Sequence, residues 1–255
     1  MDRWNGRVAL VTGASMGIGA GFCEELVKHG MKVVACARTK SKLEALKEQL
    51  SGAKGELHPF VMDVSNDEQV LAAFEWAKTT LGGVDLCVAN AGIAIGGTIL
   101  DGKPSDWRSQ LDVNLTGTLH CAKVAINGML ERGVNDGHVV LVGSALGYQV
   151  ARHPQLHFYA ITKHALRVSA TALRRELLEK KSRIRVSNVS PGYVDTGFAS
   201  RAMGIPDQAM QAKLKEISME PLQVSDVIDA LIHTISTPPR VEVHDLLFLP
   251  TDEDY

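Results

Sequence analysis

Tyr159 and Lys163 stand four residues apart near the start of a strongly helical segment, a spacing that puts a phenol and an ammonium on one helix face. A phenol can give a proton to an oxygen, or take one from it, as that oxygen changes between carbonyl and hydroxyl. Its ordinary pKa near 10 makes ionisation costly at neutral pH, and a cation held beside it favours the phenolate. Lys163 is that cation. Two further residues belong with the pair. Ser144 closes the run Leu141-Val142-Gly143-Ser144, and its hydroxyl suits holding a substrate oxygen in line. Asn114, in Asp112-Val113-Asn114-Leu115, interrupts a helical run with a side chain that competes for backbone hydrogen bonds, and it could bind a water linking Lys163 to solvent. Each residue singly would also suit a surface or capping role.

These side chains act together only if the fold gathers them at one edge. Short apolar runs at Val8 to Val11, Lys32 to Ala37, Leu57 to Met62, Asp85 to Ala89, His138 to Val142, Arg185 to Ser190 and Asp245 to Leu249 read as strands. Between them lie helical patterns at about Gly17 to His29, at Leu43, Leu46 and Leu50, from a Ser65/Glu68 capping box to Gly82, at about Asp106 to Arg132, at Phe158 to about Lys181 and at Val224 to Ser236. Strands alternating with helices of this length predict right-handed crossovers and one parallel sheet of about seven strands with helices on both faces, a doubly wound Rossmann-type α/β fold in a single domain spanning residues 1–255. Ligands in such sheets bind beyond the carboxyl ends of the strands, where strand order reverses. The chemistry-bearing residues follow strands. The segment Thr251 to Tyr255 reads as a solvated end.

After the first strand comes Thr12-Gly13-Ala14-Ser15-Met16-Gly17-Ile18-Gly19. Residues without Cβ let a diphosphate approach the backbone, and the helix N-terminus offers free N–H groups and partial positive charge. The spacing departs from the G-x-G-x-x-G fingerprint, and glycines alone also serve an ordinary strand-to-helix turn. Where the second strand ends, the acid that would bind a ribose 2′-hydroxyl is missing: Ala37, Arg38 and Thr39 stand there, and Arg38 can pair with a 2′-phosphate. That predicts NADP, although a solvated arginine at a strand end would look the same. Asp63 and Val64 fit reading of an adenine, with a helix-capping Asp63 as the alternative. Asn90, Ala91 and Gly92 fit a turn on which a ribose lies, or simply a turn. A bound, oxidised nicotinamide adds its charge to that of Lys163. Bringing the phenol down by about two to three pH units corresponds to about 3 to 4 kcal/mol, within reach of those two charges.

With these motifs in this order, the chain resembles the short-chain dehydrogenase/reductase family over essentially its whole length. The resemblance implies Asn114, Ser144, Tyr159 and Lys163 as the catalytic tetrad. Through Ser190-Pro191-Gly192-Tyr193-Val194-Asp195-Thr196 it also implies Pro191, Gly192, Val194 and Thr196 beside the nicotinamide. Ser144 and Tyr159 are fifteen residues apart, about two more than the family pattern. Cys36-Ala37-Arg38-Thr39, Leu156-His157-Phe158-Tyr159 and Asp245-Leu246-Leu247-Phe248-Leu249-Pro250-Thr251 resemble the branch containing the dehydrogenase/reductase member-eleven group and invertebrate farnesol dehydrogenases. That branch implies an apolar terpenoid or steroid-like alcohol or ketone. Alternatives are a hydroxysteroid dehydrogenase, a ketosteroid or general carbonyl reductase, and a catalytically silent NADP-binding sensor or scaffold. The stretch of about residues 198–220, rich in Ala and Met, reads either as a lid over the nicotinamide or as the core of a short helix. His157 reads as a pocket-rim residue or a structural histidine.

Bulk properties narrow the partners. A formal net charge of −2, with signs scattered, offers no basic face for nucleic acid or anionic lipid. No apolar run reaches membrane-spanning length, and no signal peptide is recognisable. Cys23, Cys36, Cys87 and Cys121 lie far apart, as core thiols of a cytoplasmic protein would, and neither they nor the nine histidines suggest a metal. The helices around Leu111 to Leu130 and Phe158 to Leu178 carry apolar residues on more than one face, which suggests partner helices, and the family resemblance implies that they pair between subunits of a homodimer or homotetramer.

Overall fold

The computed structural model describes residues 1–254. Seven parallel strands form one sheet: β1 (Val8–Thr12), β2 (Lys32–Ala37), β3 (Glu56–Val61), β4 (Leu86–Ala89), β5 (His138–Val142), β6 (Arg185–Pro191) and β7 (Asp245–Phe248), in spatial order β3-β2-β1-β4-β5-β6-β7. The uninterrupted apolar strands follow from burial on both faces. In β1, Val8 and Leu10 join one core while Ala9 and Val11 join the other, so neither face tolerates a polar residue. One core is closed by α3 (Asp67–Leu81), α5 (Thr118–Glu131) and α6 (His157–Glu179), through residues such as Phe74, Ile126 and Leu166. The other is closed by α1 (Gly17–Lys28), α2 (Lys40–Gln49) and α9 (Val224–Ser236), through Phe22, Leu43 and Leu231. Trp4 is fully buried there, its indole N–H donating to the Ile235 carbonyl at 2.9 Å.

Strand order reverses between β1 and β4, and the carboxyl ends of these two strands are pinned together. The amides of Asn90 and Ala91 donate to Thr12 Oγ1 at 3.0 and 2.9 Å, and the Asn90 side chain donates to the Thr12 carbonyl at 3.0 Å. The reversal therefore opens a crevice with fixed walls.

Local detail departs from the sequence reading in four places. The first turn of α3 is capped by Asn66, which accepts from the Gln69 amide at 3.0 Å, and not by Ser65, whose hydroxyl donates instead to Asp63 at 2.7 Å. Asn is as good a cap as Ser, and the neighbouring carboxylate claims the serine. The long helical run is α4 (Pro104–Leu111), a widened π turn over Asp112–Gly117, and then α5. The stretch after β6 is helical in two pieces, α7 (Phe198–Met203) and α8 (Asp207–Glu216), separated by Gly204 at φ 64°. Finally, in the segment after β7 Thr251, Asp252 and Asp254 are exposed as a solvated end would be, but Glu253 is half-buried and accepts from the Tyr193 amide at 2.9 Å; Tyr255 lies outside the described residues.

No helix among the described residues is long and apolar enough to cross a membrane.

Candidate active site

The glycine turn leads from β1 into α1. Gly13 lies at φ 68° and Gly17 at φ 56°, in the left-handed region where a Cβ is strained. Gly19 is needed for a different reason: a Cβ there would collide with the Gly13 carbonyl and come within 2.6 Å of Asn90 Nδ2. Small residues here draw the start of α1 against the ends of β1 and β4. Its first amides, at Gly17, Ile18 and Gly19, lack intrahelical partners, and Gly17 and Ile18 face the crevice with Ser15 and the extended N-cap residue Met16. Replacing Gly19 with Ala should cost about 1 to 3 kcal/mol through overpacking against backbone. A lowered denaturant midpoint with an unchanged slope would show it; an unchanged midpoint would show that the turn yields.

The crevice continues as one cavity of about 970 Å³. At its far end Arg38 and Thr39 follow β2, with Lys42 beside them. The Arg38 guanidinium is 72% exposed and 4.0 Å from Asp63 Oδ2. Burial pushes the Asp63 carboxyl up, but hydrogen bonds from Ser65 and the charge of Arg38 outweigh it and hold the carboxyl below its usual range. The Asp63 amide donates to the Gln69 side chain at 2.8 Å, while Asp63 and Val64 both line the cavity. Asn90, Ala91 and Gly92 line its middle. The Asn90 amide is committed to the Thr12 and Gly13 carbonyls, so it fixes the turn while its backbone forms the wall. On the opposite wall, Pro191 and Gly192 leave β6, and the Gly192 amide donates to the Phe248 carbonyl at 2.8 Å. Val194 pairs with Leu222, and the Thr196 methyl lies 3.3 Å from where a Cβ on Gly17 would stand. That segment therefore returns to the glycine turn. Every residue expected at a dinucleotide site lines this cavity except Gly19, which shapes the turn from behind.

Ser144, Tyr159 and Lys163 line the same cavity between these two walls, and Asn114 packs directly behind it. Tyr159 and Lys163 open α6, with Lys163 Nζ 5.6 Å from the centroid of the Tyr159 ring. The ring packs against Phe198 at 5.6 Å. Lys163 is nearly sealed, and its Nζ donates to the Val142 carbonyl at 2.8 Å, which aims the ammonium at the carboxyl end of β5. Asn114 is fully buried. Its side chain accepts from the Ile93 amide at 2.8 Å and donates both to the Ile93 carbonyl at 2.8 Å and to Thr162 Oγ1 at 3.1 Å. The asparagine thereby clamps the loop after β4 to α6, and the π turn is what carries it inward.

Burial sets the electrostatics. It pushes the Tyr159 phenol up, with the Ser144 hydroxyl pulling the other way, and it pushes the Lys163 ammonium down to about 8. A phenol brought down by its lysine was expected, whereas desolvation dominates here. Each charge is costly alone and each relieves the other, so proton loss from Tyr159 favours keeping Lys163 protonated.

Of the stretch read as a lid, Phe198, Ala199, Ala202 and Met219 line the cavity, and with Leu156, to which the sequence assigned no wall role, they give the wall near Tyr159 its apolar character. Met210 and Leu214 of α8 are instead buried, so the methionine-rich stretch supplies both cavity wall and helix core. His157 is structural: its ring meets the Ala151 carbonyl at 3.0 Å and steadies the loop before α6. Gln149, Arg152 and His153 in that loop, and Asp252, Glu253 and Asp254 after β7, also line the cavity. Nothing in their spacing marks them, because they meet only through the loop conformation.

Comparison with known proteins agrees with this arrangement. Residues 7–203 match the family model described as short chain dehydrogenase. The chain is 42% identical over 255 residues to dehydrogenase/reductase SDR family member 11 of Gallus gallus, covering 99% of both chains. It is 38% identical over 257 residues to farnesol dehydrogenase of Aedes aegypti, covering 100% of both. Among solved structures, the closed form of serine dehydrogenase complexed with NADP+ superposes with a TM-score of 0.87 at 27% identity, covering 97% of this chain and 96% of that one.

Proposed function

The chain belongs to the short-chain dehydrogenase family, and from that premise we propose that it is an NADP-dependent oxidoreductase interconverting an apolar, terpenoid- or steroid-like alcohol and its carbonyl compound. The observation that carries this reading is the joint placement of Tyr159, Lys163 and Ser144 in one cavity with the glycine turn, at the reversal of strand order.

The residues fit a nicotinamide dinucleotide: a glycine cradle that a Cβ would fill, unpaired helix amides, and at the end of β2 no acid but a largely exposed cation, Arg38, whose nearest carboxylate is Asp63 at 4.0 Å. Gly13, Ser15, Met16, Gly17, Ile18 and Gly19 would hold the diphosphate; Arg38 and Thr39 the 2′-phosphate; Asp63 and Val64 the adenine. Asn90, Ala91, Gly92, Pro191, Gly192, Val194 and Thr196, with Tyr159 and Lys163, would enclose the ribose and nicotinamide. When bound, the dinucleotide supplies or accepts the hydride. The protein's own residues handle the proton. Ser144 holds the substrate oxygen, Tyr159 gives or takes the proton at that oxygen, and the Lys163 ammonium stabilises the charge left on the phenol. Asn114 keeps the wall of the site rigid behind them.

Arg38→Ala should raise KM for NADPH about tenfold, the modest value suiting an exposed charge-assisted contact, and leave KM for NADH within about twofold. Equal increases for both cofactors would remove Arg38 from the 2′-phosphate site.

The apolar wall around Leu156, Phe198 and Met219 supports the substrate class, and α7, with Ile217 and Met219 beyond α8, would form the lid over it. A homodimer or homotetramer belongs to the same proposal, supported by Ile161 and Val168, which α6 leaves exposed; sedimentation giving only monomer would remove it. So does a cytoplasmic location, supported by four buried, unpaired thiols. NADPH oxidation with a panel of farnesal, steroid ketones and simple aldehydes tests the whole reading. Turnover of at least one apolar carbonyl is expected. Tight NADPH binding with no turnover of any carbonyl or alcohol would instead identify a sensor.

A further inference from the structure

The segment Thr251–Asp254 folds back over the cavity that holds Tyr159, and it is tied down at two points. The Glu253 carboxylate accepts from the Tyr193 amide at 2.9 Å, directly beside the Pro191-Gly192 turn. It reaches that amide only because residue 192 is glycine, since a Cβ there would collide with the Glu253 carboxylate. Asp254 pairs with Arg152 of the loop before α6, so the segment and that loop form a continuous rim.

Within this rim the cations are spoken for. Arg152 is held by Asp254, and Arg201 donates to the Thr196 carbonyl at 3.2 Å. Among the described residues, no cation lies within ion-pair distance of Glu253. Its carboxylate is partly desolvated, and burial pushes its pKa up. A carboxylate with no ion-pair partner, partly desolvated at the rim of a cavity whose wall near Tyr159 is apolar, repels a second negative charge much more strongly than bulk water would allow.

We propose that Glu253 is a specificity-determining residue, its carboxylate excluding substrates that carry a negative charge remote from the reacting oxygen and admitting neutral ones. This rests on the oxidoreductase reading above and narrows its substrate class to uncharged apolar alcohols and carbonyls.

The test pairs ω-oxo fatty acids of graded length with their methyl esters, which differ only in charge at the far end. For the lengths that reach the rim, kcat/KM favours the ester by about tenfold or more. Glu253→Gln keeps an acceptor for the Tyr193 amide and removes the charge. It raises kcat/KM for the acid about tenfold and leaves the ester within about twofold. Glu253→Ala, which removes the acceptor as well, relaxes the same discrimination even where it lowers turnover of both. Calorimetry with ω-hydroxydecanoate and its methyl ester on the NADPH-loaded protein, where no product forms, reads the discrimination without catalysis. Discrimination in binding without turnover would sink the oxidoreductase reading and leave the role of Glu253 standing. An acid-to-ester ratio that is the same in wild type, Glu253→Gln and Glu253→Ala, in binding and in turnover, would overturn the proposal.

Discussion

Tyr159→Phe should lower kcat/KM for carbonyl reduction by about a thousandfold while leaving NADPH affinity within about twofold. The ring is 92% buried by the packing of α6 and stacks obliquely on Phe198 at 5.6 Å, so removing one oxygen leaves the packing intact. What disappears is the phenol hydroxyl, which meets the Ser144 hydroxyl on a ring that lies beside Lys163. Stability should change little, because the phenol oxygen has no bond to backbone whose loss would strand a partner. The phenol is held high by burial, so it enters the reaction protonated at neutral pH, which suits delivery of a proton to a carbonyl oxygen more than removal of one from an alcohol. A preference for reduction at neutral pH, with oxidation gaining as pH rises, follows from that direction. A Phe variant that kept a tenth of wild-type turnover would show that water or Ser144 delivers the proton.

The parallel sheet and its two-sided core were legible because β1 and β4, and β5 after His138, run almost wholly apolar, a pattern that only a covered parallel sheet rewards, whereas β6 is buried throughout yet carries Arg185, Ser187, Asn188 and Ser190. The glycine turn and the Tyr159–Lys163 spacing were legible for a similar reason: each is a local geometry that few residue types satisfy. What escaped reading depends on partners distant in sequence. Asn114 looks like a helix interruption, but its amide is claimed by Ile93, 21 residues earlier, and that contact fixes the π turn. Glu253 looks solvated until Gly192 and Tyr193, 60 residues away, are brought beneath it. Spacing tells that the phenol and the ammonium meet on one helix face, but not how completely water is removed from them.

Lys163→Met should cost kcat/KM for reduction about a hundredfold to a thousandfold and change the shape of the pH profile, and the shape separates charge from packing. Met fills most of the same space, so the buried slot beside Tyr159 stays occupied while the ammonium and its bond to the Val142 carbonyl are lost. In the wild type, burial lowers the ammonium from the ordinary lysine range to about 8. A lowered pKa means that Lys163 is charged below about pH 8 and neutral above it, so the phenolate formed as the proton leaves Tyr159 is stabilised only on the acid side. Reductive kcat/KM should therefore hold level up to about pH 8 and fall beyond it. In Lys163→Met the low remaining rate should cross that region without the fall, because no ammonium is left to titrate. If the variant lost activity yet kept the same decline above pH 8, the titrating group would be another one, and the phenol would be acting without its lysine.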